Sequence, residues 1–354
     1  VDERIKKLAE ILVNHCIKIK KGQTIRVNCG IESSPLALQV CEILLKKKVF
    51  PKLNMVMPGY SYLYFKHVTD EMLRKYPKIA DYEIRNSHGV IHIGSEYNTR
   101  EFSNIDPKKF SMRSKVLEPL KKFSVKQDNW ALCEFPTNAL AQEAGMSLNE
   151  YEDFVYGACL LDWKKQRAKQ KKIKKLIMKG KQVRIVGKET DITFSIKGKK
   201  VISSWGRNNM PDGEVFTEPV TKSVNGYILF DYPVVRGGNE VDGVRLMFKE
   251  GKAVEISAEK NERFLQAMLN TDKGASSVGE FGIGMNPMIK KFTKKILFDE
   301  KMIGTIHLAL GSSFPFTGGE NKSAIHWDMI KDLRKGGKII IDGKIVQRNG
   351  KWLI

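Results

Sequence analysis

Three features of this 354-residue chain predict an N-terminal α/β domain with a mainly parallel sheet (1–180), followed by a strand-rich, barrel-like α+β domain (181–354). The first half alternates strand-like and helix-like segments, the pattern of a parallel sheet covered on both faces. Near residue 180 the character changes to short β-prone runs separated by turn residues. Length and a hydrophobic content of 42% suffice to bury two cores.

The elements follow in order. Residues 1–16 read as a helix with Ile5, Leu8, Ile11 and Leu12 on one side. TIRVNC (24–29) reads as a strand, SSPLALQVCEILLKKK as a helix, and KLNMVM (52–57) and GVIHIG (89–94) as further strands. The CGIESSP turn after the first strand lacks the G-x-G-x-x-G spacing that seats a pyrophosphate, so no dinucleotide site is expected. GYSYLYF (59–65) alternates Tyr60, Tyr62 and Tyr64 with Ser61 and Leu63, which fits a strand or a lid at an interface. LNEYEDFVYGACLLDWKKQRAKQKKIKKLIMKG reads as one amphipathic helix ended by Gly180. Beyond it QVRIVG, DITFSI, YILFD, VRLMFK, AVEIS, TIHLALG and KIIIDGKIVQ read as strands, interrupted by a helix at NERFLQAML.

The net charge of +21 would attract nucleic acid or anionic lipid, but the lysines are scattered. The densest run, Lys164–Lys175, continues an amphipathic helix and reads as its solvated face. No nucleic-acid-binding signature accompanies the charge, and no apolar run approaches the ~20 residues of a membrane helix. Neither a specific nucleic acid nor a membrane is an expected partner. The N-terminal VDERIKKLAEILVNHC mixes charges and spaces its apolar residues along a helix, unlike a secretion signal. The five cysteines form no CxxC pair and read as reduced thiols. Together these features predict a cytoplasmic protein.

The strand-rich half holds the candidate chemistry. His307 sits in the middle of GTIHLALG. In KSAIHWDMI, His326 and Asp328 are two apart and on a strand share a face, with Ile325 and Trp327 on the other. Imidazole plus carboxylate is a ligand set for zinc, manganese, cobalt or non-haem iron. A strand histidine can also be a hydrogen-bonded core residue, and an H-x-D alternation also arises by chance. Burying Asp328 without a partner would be costly, which favours a cation. Turn residues deliver Glu214 in NNMPDGEVFTEP and Glu280 in GASSVGEFGIGMNP to short β-prone segments; either also fits a surface glutamate at a turn. Three carboxylates against two divalent ions leave a single positive charge, which a bound hydroxide balances.

NMPDGEVFTEP, VGEFGIGMNP, IHLALGSSFP and GGENKSAIHWDM, in that order, make the chain resemble the M29 family of metallo-aminopeptidases. The resemblance implies that Glu214, Glu280, His307, His326 and Asp328 bind two divalent metal ions, with Glu280 as the bridging ligand and Glu214 and Glu280 in catalytic roles. Zinc, cobalt, manganese or magnesium would serve. It further implies hydrolysis of N-terminal residues from short peptides by a metal-activated bridging water, in a homodimer with an enclosed cavity. One departure stands out: Phe314, in GSSFP, occupies the position of the family's catalytic tyrosine and lacks the hydroxyl donor. That departure motivates an alternative, a mononuclear ring-cleaving dioxygenase-like enzyme using Glu280, His326 and Asp328. A non-specific nucleic-acid binder is a third reading.

Overall fold

The computed structural model describes residues 2–236 and 238–353. It divides into two compact units, residues 1–161 with 206–211, and residues 162–205 with 212–354.

The first unit is built on a five-stranded parallel sheet in the order Phe50–Val56, Thr24–Gly30, Gly89–Gly94, Trp130–Glu134, Asn209–Met210. Ile25, Val27, Val90 and Ile91 are buried, as a sheet covered on both faces requires. The helix Ser34–Lys46 carries proline in its first turn, where a missing N–H costs nothing, and buries Leu36, Ala37, Val40 and Leu44. The aromatic GYSYLYF segment is a helix, Tyr60–His67, instead of a strand. None of that helix is fully buried; its Phe65 ring packs on Phe110 and Phe102 at 4.4 and 6.2 Å. Alternation of Tyr with Ser and Leu imitated a strand because no apolar stripe of helical period competed with it.

The long helix expected before Gly180 is two helices, Leu148–Cys159 and Trp163–Lys179. Asp162 breaks it: its carboxylate accepts from the Lys165 amide at 3.0 Å and caps the second helix. That second helix groups with the second unit, so the unit begins at Asp162 and not near residue 180. The cause is its inner face. Trp163, Gln166, Gln170, Ile173 and Ile177 are buried, and Ser203 donates to Gln170 Oε1 at 2.6 Å.

The barrel-like arrangement of the second unit takes the form of two large antiparallel sheets over one core, with a separate two-stranded sheet, Val234–Arg236 and Asn239–Val241. One has eight strands, ordered Lys252–Ser257, Arg245–Lys249, Asn225–Leu229, Thr190–Ser195, Gln182–Gly187, Lys338–Ile341, Lys344–Arg348, Lys351–Trp352. The other has five, ordered His326–Asp332, Thr305–Gly311, Val278–Gly284, Glu214–Thr217, Ile202–Ser204. Val183, Ile185, Ile192 and Phe194 from the first meet Phe281, Ile283, Leu308 and Trp327 from the second, with the Phe194 and Phe281 rings 5.0 Å apart. Among the described residues, no helix is long and apolar enough to cross a membrane.

Candidate metal centre

All five sequence-derived candidates lie on the five-stranded sheet and converge. Register sets them out: Glu280 pairs with Ala309, which pairs with Asp328; Gly282 pairs with His307; Gly311 pairs with His326; Gly284 pairs with Glu214. The other face of the same strands carries Phe281, Ile283, Ile306, Leu308, Trp327 and Met329, all buried in the core. One face is therefore ligand-bearing and lined with glycine and alanine, while the other anchors the sheet. Val278–Gly284 and Thr305–Gly311 are buried along their whole lengths. Their small residues on the polar face hide the alternation in an apparently continuous apolar run.

Two glycines are required by geometry. Gly213 turns the chain into the Glu214 strand at φ +119°, a conformation side-chain-bearing residues rarely adopt, and a Cβ there would press against Asn286. Gly282 leaves the space that the His307 imidazole occupies; a Cβ there would collide with the ring.

Glu280 sits between the two histidines. Its Oε1 is 3.7 Å from His307 Nε2 and its Oε2 is 3.2 Å from His326 Nε2. Glu214 Oε2 lies 3.5 Å from His307 Nε2, and Asp328 Oδ1 lies 3.5 Å from His326 Nε2. Among the described residues, potential ligand atoms come within 4.8 Å of one another in three groups: Glu214, Glu280 and His307; Glu280, His326 and Asp328; and Glu300, His307 and Asp328. We refer to the first as the inner set and the second as the outer set.

The second shell orients both imidazoles. His307 Nδ1 lies 3.0 Å from the Glu300 carbonyl oxygen, and His326 Nδ1 lies 2.8 Å from that of Ser312. A carbonyl only accepts, so each Nδ1 carries the proton and each Nε2 faces the carboxylates. This is how a metal-ligating histidine is held. Burial alone would lower the histidine pKa values; the carboxylates reverse it. Glu280, Glu214 and Asp328 push His307 up to about 9, and Asp328 and Glu280 push His326 up to about 12. Burial drives Glu214 up to about 8, while His326 and His307 outweigh burial at Asp328 and hold it at about 2. The two imidazoles beside Glu280 likewise offset its burial and lower its pKa. The carboxylates thus make a field that retains protons on both rings, and two imidazole nitrogens among oxygen donors suit a divalent cation. The residues present fit such ions.

Sequence reasoning missed three groups here. Glu300 and Lys301 sit in FDEK, just before the His307 strand, where a charged triplet reads as an exposed turn. Lys301 is fully buried, pairs with the Glu300 carboxylate, and has Nζ 3.8 Å from Glu214 Oε1. Burial would depress the Lys301 pKa, but Glu214 and Glu300 raise it. Glu218, four residues after Glu214, is buried and accepts from the Phe314 amide; burial raises its pKa.

Phe314 lies at the rim. Its ring centroid is 5.1 Å from that of His326, 5.2 Å from that of Phe316 and 5.9 Å from that of Phe216. The ring borders the outer set and brings no hydrogen-bond donor to it.

The profile of the thermophilic metalloprotease family (M29) matches residues 1–352. Aminopeptidase 2 of Geobacillus stearothermophilus is 25% identical over 409 aligned positions, covering 99% of this chain and 98% of that protein. Aminopeptidase T of Thermus thermophilus is 31% identical over 167 positions, 41% of this chain and 40% of that one. Among solved structures, wild-type AmpT from Thermus thermophilus superposes with a TM-score of 0.87 at 21% identity, covering 99% of each chain. A 2,5-dihydroxypyridine dioxygenase from Pseudomonas putida KT2440 superposes with a TM-score of 0.62 at 13% identity, over 99% of this chain and 96% of that one.

Proposed function

The chain belongs to the thermophilic metalloprotease family (M29), and from that premise we propose that it is an aminopeptidase using two divalent cations. The observation that carries the reading is the Glu280 carboxylate, which offers one oxygen to the inner set and the other to the outer set. Glu214 and His307 would complete the inner position, and His326 and Asp328 the outer one. Bound ions would polarise a scissile carbonyl and acidify a water between them toward neutral pH.

This chain's own residues do the rest. Main-chain carbonyls of Glu300 and Ser312 fix the imidazole tautomers, so neither ring can swing its Nε2 away. The all oxygen-and-nitrogen donor set, free of thiolate, is compatible with zinc, cobalt, manganese or magnesium. Phe216, Phe314 and Phe316 form an apolar wall beside His326, suited to a peptide side chain. Short peptides with a free N-terminus are the proposed substrates, in a cytoplasmic homodimer. The M29 relatives named aminopeptidases support the activity.

The test is hydrolysis of amino-acid p-nitroanilides by the metal-loaded chain, with N-acetylated counterparts as control. Release from the free amines alone, abolished by chelation, is expected. Equal cleavage of acetylated substrates, or none of either with the ions bound, would defeat the proposal. A mononuclear reading with Glu280, His326 and Asp328 leaves the buried Glu214 and His307 without a part. Elemental analysis separates the two: two ions per chain support the dinuclear site, and one iron supports the other.

A further inference from the structure

We infer that the dipeptide Glu300–Lys301 is the positioning element of Glu214 and His307, the two ligands the inner set does not share with the outer; this rests on the dinuclear reading above. Consecutive residues brace both ligands that belong only to the inner set. The Glu300 main-chain oxygen receives the His307 Nδ1 proton at 3.0 Å. Lys301 Nζ stands 3.8 Å from Glu214 Oε1, which leaves Glu214 Oε2 as the oxygen facing His307 Nε2 at 3.5 Å. Lys301 thereby selects which carboxylate oxygen of Glu214 turns to the site.

The outer set has other supports. His326 Nδ1 donates to the Ser312 carbonyl at 2.8 Å, and Arg236 donates to the His326 carbonyl at 2.9 Å. Exposure divides the sets in the same way. The side chains of Glu214 and His307 are 8% and 1% exposed, those of His326 and Asp328 29% and 12%.

Charge neutralisation does not explain Lys301. Its charge is cancelled by its own neighbour Glu300, so the dipeptide adds nothing to the net charge of the site. Nor does fold stability explain it, because a buried ion pair is commonly replaceable by apolar residues of similar volume without loss. What remains is direction: the dipeptide is held rigidly where it reaches both inner ligands. The Asn286 amide donates to the Lys301 carbonyl at 3.0 Å, and the Lys301 amide donates to the Phe298 carbonyl at 3.0 Å.

The test is calorimetric titration of the full chain with cobalt(II) alone. Glu300→Gln/Lys301→Met removes the side-chain pair without changing net charge; it keeps the Glu300 carbonyl that His307 uses and so reads the Lys301 contact with Glu214. It is introduced into His326→Ala, which retains the inner set, and into His307→Ala, which retains Glu280, His326 and Asp328. Loss of an outer-shell partner typically weakens metal binding ~10–100-fold. That loss is expected in the His326→Ala background and a clearly smaller one in the His307→Ala background, where the Glu300 carboxylate still comes near Asp328. Equal losses in both, or none in either, would overturn the inference while leaving a wild-type stoichiometry of two untouched. A wild-type stoichiometry of one would overturn the dinuclear reading and the inference with it. Circular dichroism checks folding. If the methionine variant unfolds, Glu300→Gln/Lys301→Gln, whose amides can satisfy one another, takes its place with the same expected outcomes.

Discussion

Gly282 faces His307 across the pairing of Val278–Gly284 with Thr305–Gly311, and the imidazole occupies the volume a Cβ on Gly282 would need. The histidine can therefore stand over its neighbour strand only because that neighbour has no side chain. Gly282→Ala must displace the ring or spread the strands. Overpacking of this kind costs ~1–3 kcal/mol. A lower thermal midpoint is expected, with weaker cobalt binding at the inner set. A variant with wild-type cobalt affinity would show that His307 is not held by this contact.

Glu280 is the one ligand shared by the inner and outer sets. Glu280→Gln preserves shape but removes the charge that both imidazoles face, so both positions should weaken together, whereas Asp328→Asn should weaken only the outer one. Losing an outer-shell partner alone costs ~10–100-fold, so a loss of at least ~100-fold is expected for the shared first-shell group. Metal content after dialysis reads this directly. Retention of either ion at wild-type level in Glu280→Gln would rule out a bridging role.

Much of this arrangement was legible in the amino-acid order, for physical reasons. His326 and Asp328 are two apart on a strand, and period-two geometry alone puts them on one face. His307 stood out inside an apolar run and Asp328 as a carboxylate whose burial demands a partner, whereas Glu214 and Glu280 also read as surface glutamates at turns and joined the set through the family resemblance. Glu300 and Lys301 were not legible, because a charged triplet before a strand ordinarily marks a solvated turn, and only the tertiary fold buries Lys301 completely. The break at Asp162 was concealed for a related reason. Apolar spacing runs through both helices, and the interruption depends on one capping carboxylate. The helix Pro107–Gln127 lay outside the sequence reading because it buries only Leu120 and so shows no apolar stripe.

The raised pKa values make stability pH-dependent in a definite direction. In the metal-free chain His307 titrates near 9 against 6.5 when unfolded, and His326 near 12. Glu214 titrates near 8 against 4.5, and burial places Asp299 near 8 as well. The folded state binds more protons than the unfolded state over this window, so stability falls as pH rises. The His307 contribution is complete below 6.5, declines as pH rises from there and is gone above about 9. Asp328, lowered to about 2 from 3.8, acts oppositely and matters only in acid. Cations compete with these protons, so metal affinity should rise with pH and binding should release protons. Urea unfolding of chelator-treated protein is expected to show a lower midpoint near pH 9 than below 6.5. Added cobalt should narrow or reverse that difference. A metal-free chain that gains stability over the same range would contradict the argument.

Phe314 supplies the sharpest test of the chemistry. Its ring stands 5.1 Å from the His326 ring and 5.2 Å from Phe316, so it borders the outer ligand set without a donor to offer. Phe314→Tyr adds one hydroxyl to a half-buried ring and leaves the aromatic wall in place. Removing a single donor that stabilises a developing oxyanion costs ~10²–10³-fold in turnover. Restoring one should raise kcat by up to that factor. KM should change little, because the gain arises in the transition state and not in substrate binding. Steady-state hydrolysis of a leucine p-nitroanilide by the cobalt-loaded wild type and variant measures both constants. An unchanged kcat would mean that another donor already fills the role and that the phenylalanine at this position is packing alone. A rise in kcat would show instead that the cluster still runs the hydrolytic chemistry of its family at a reduced rate.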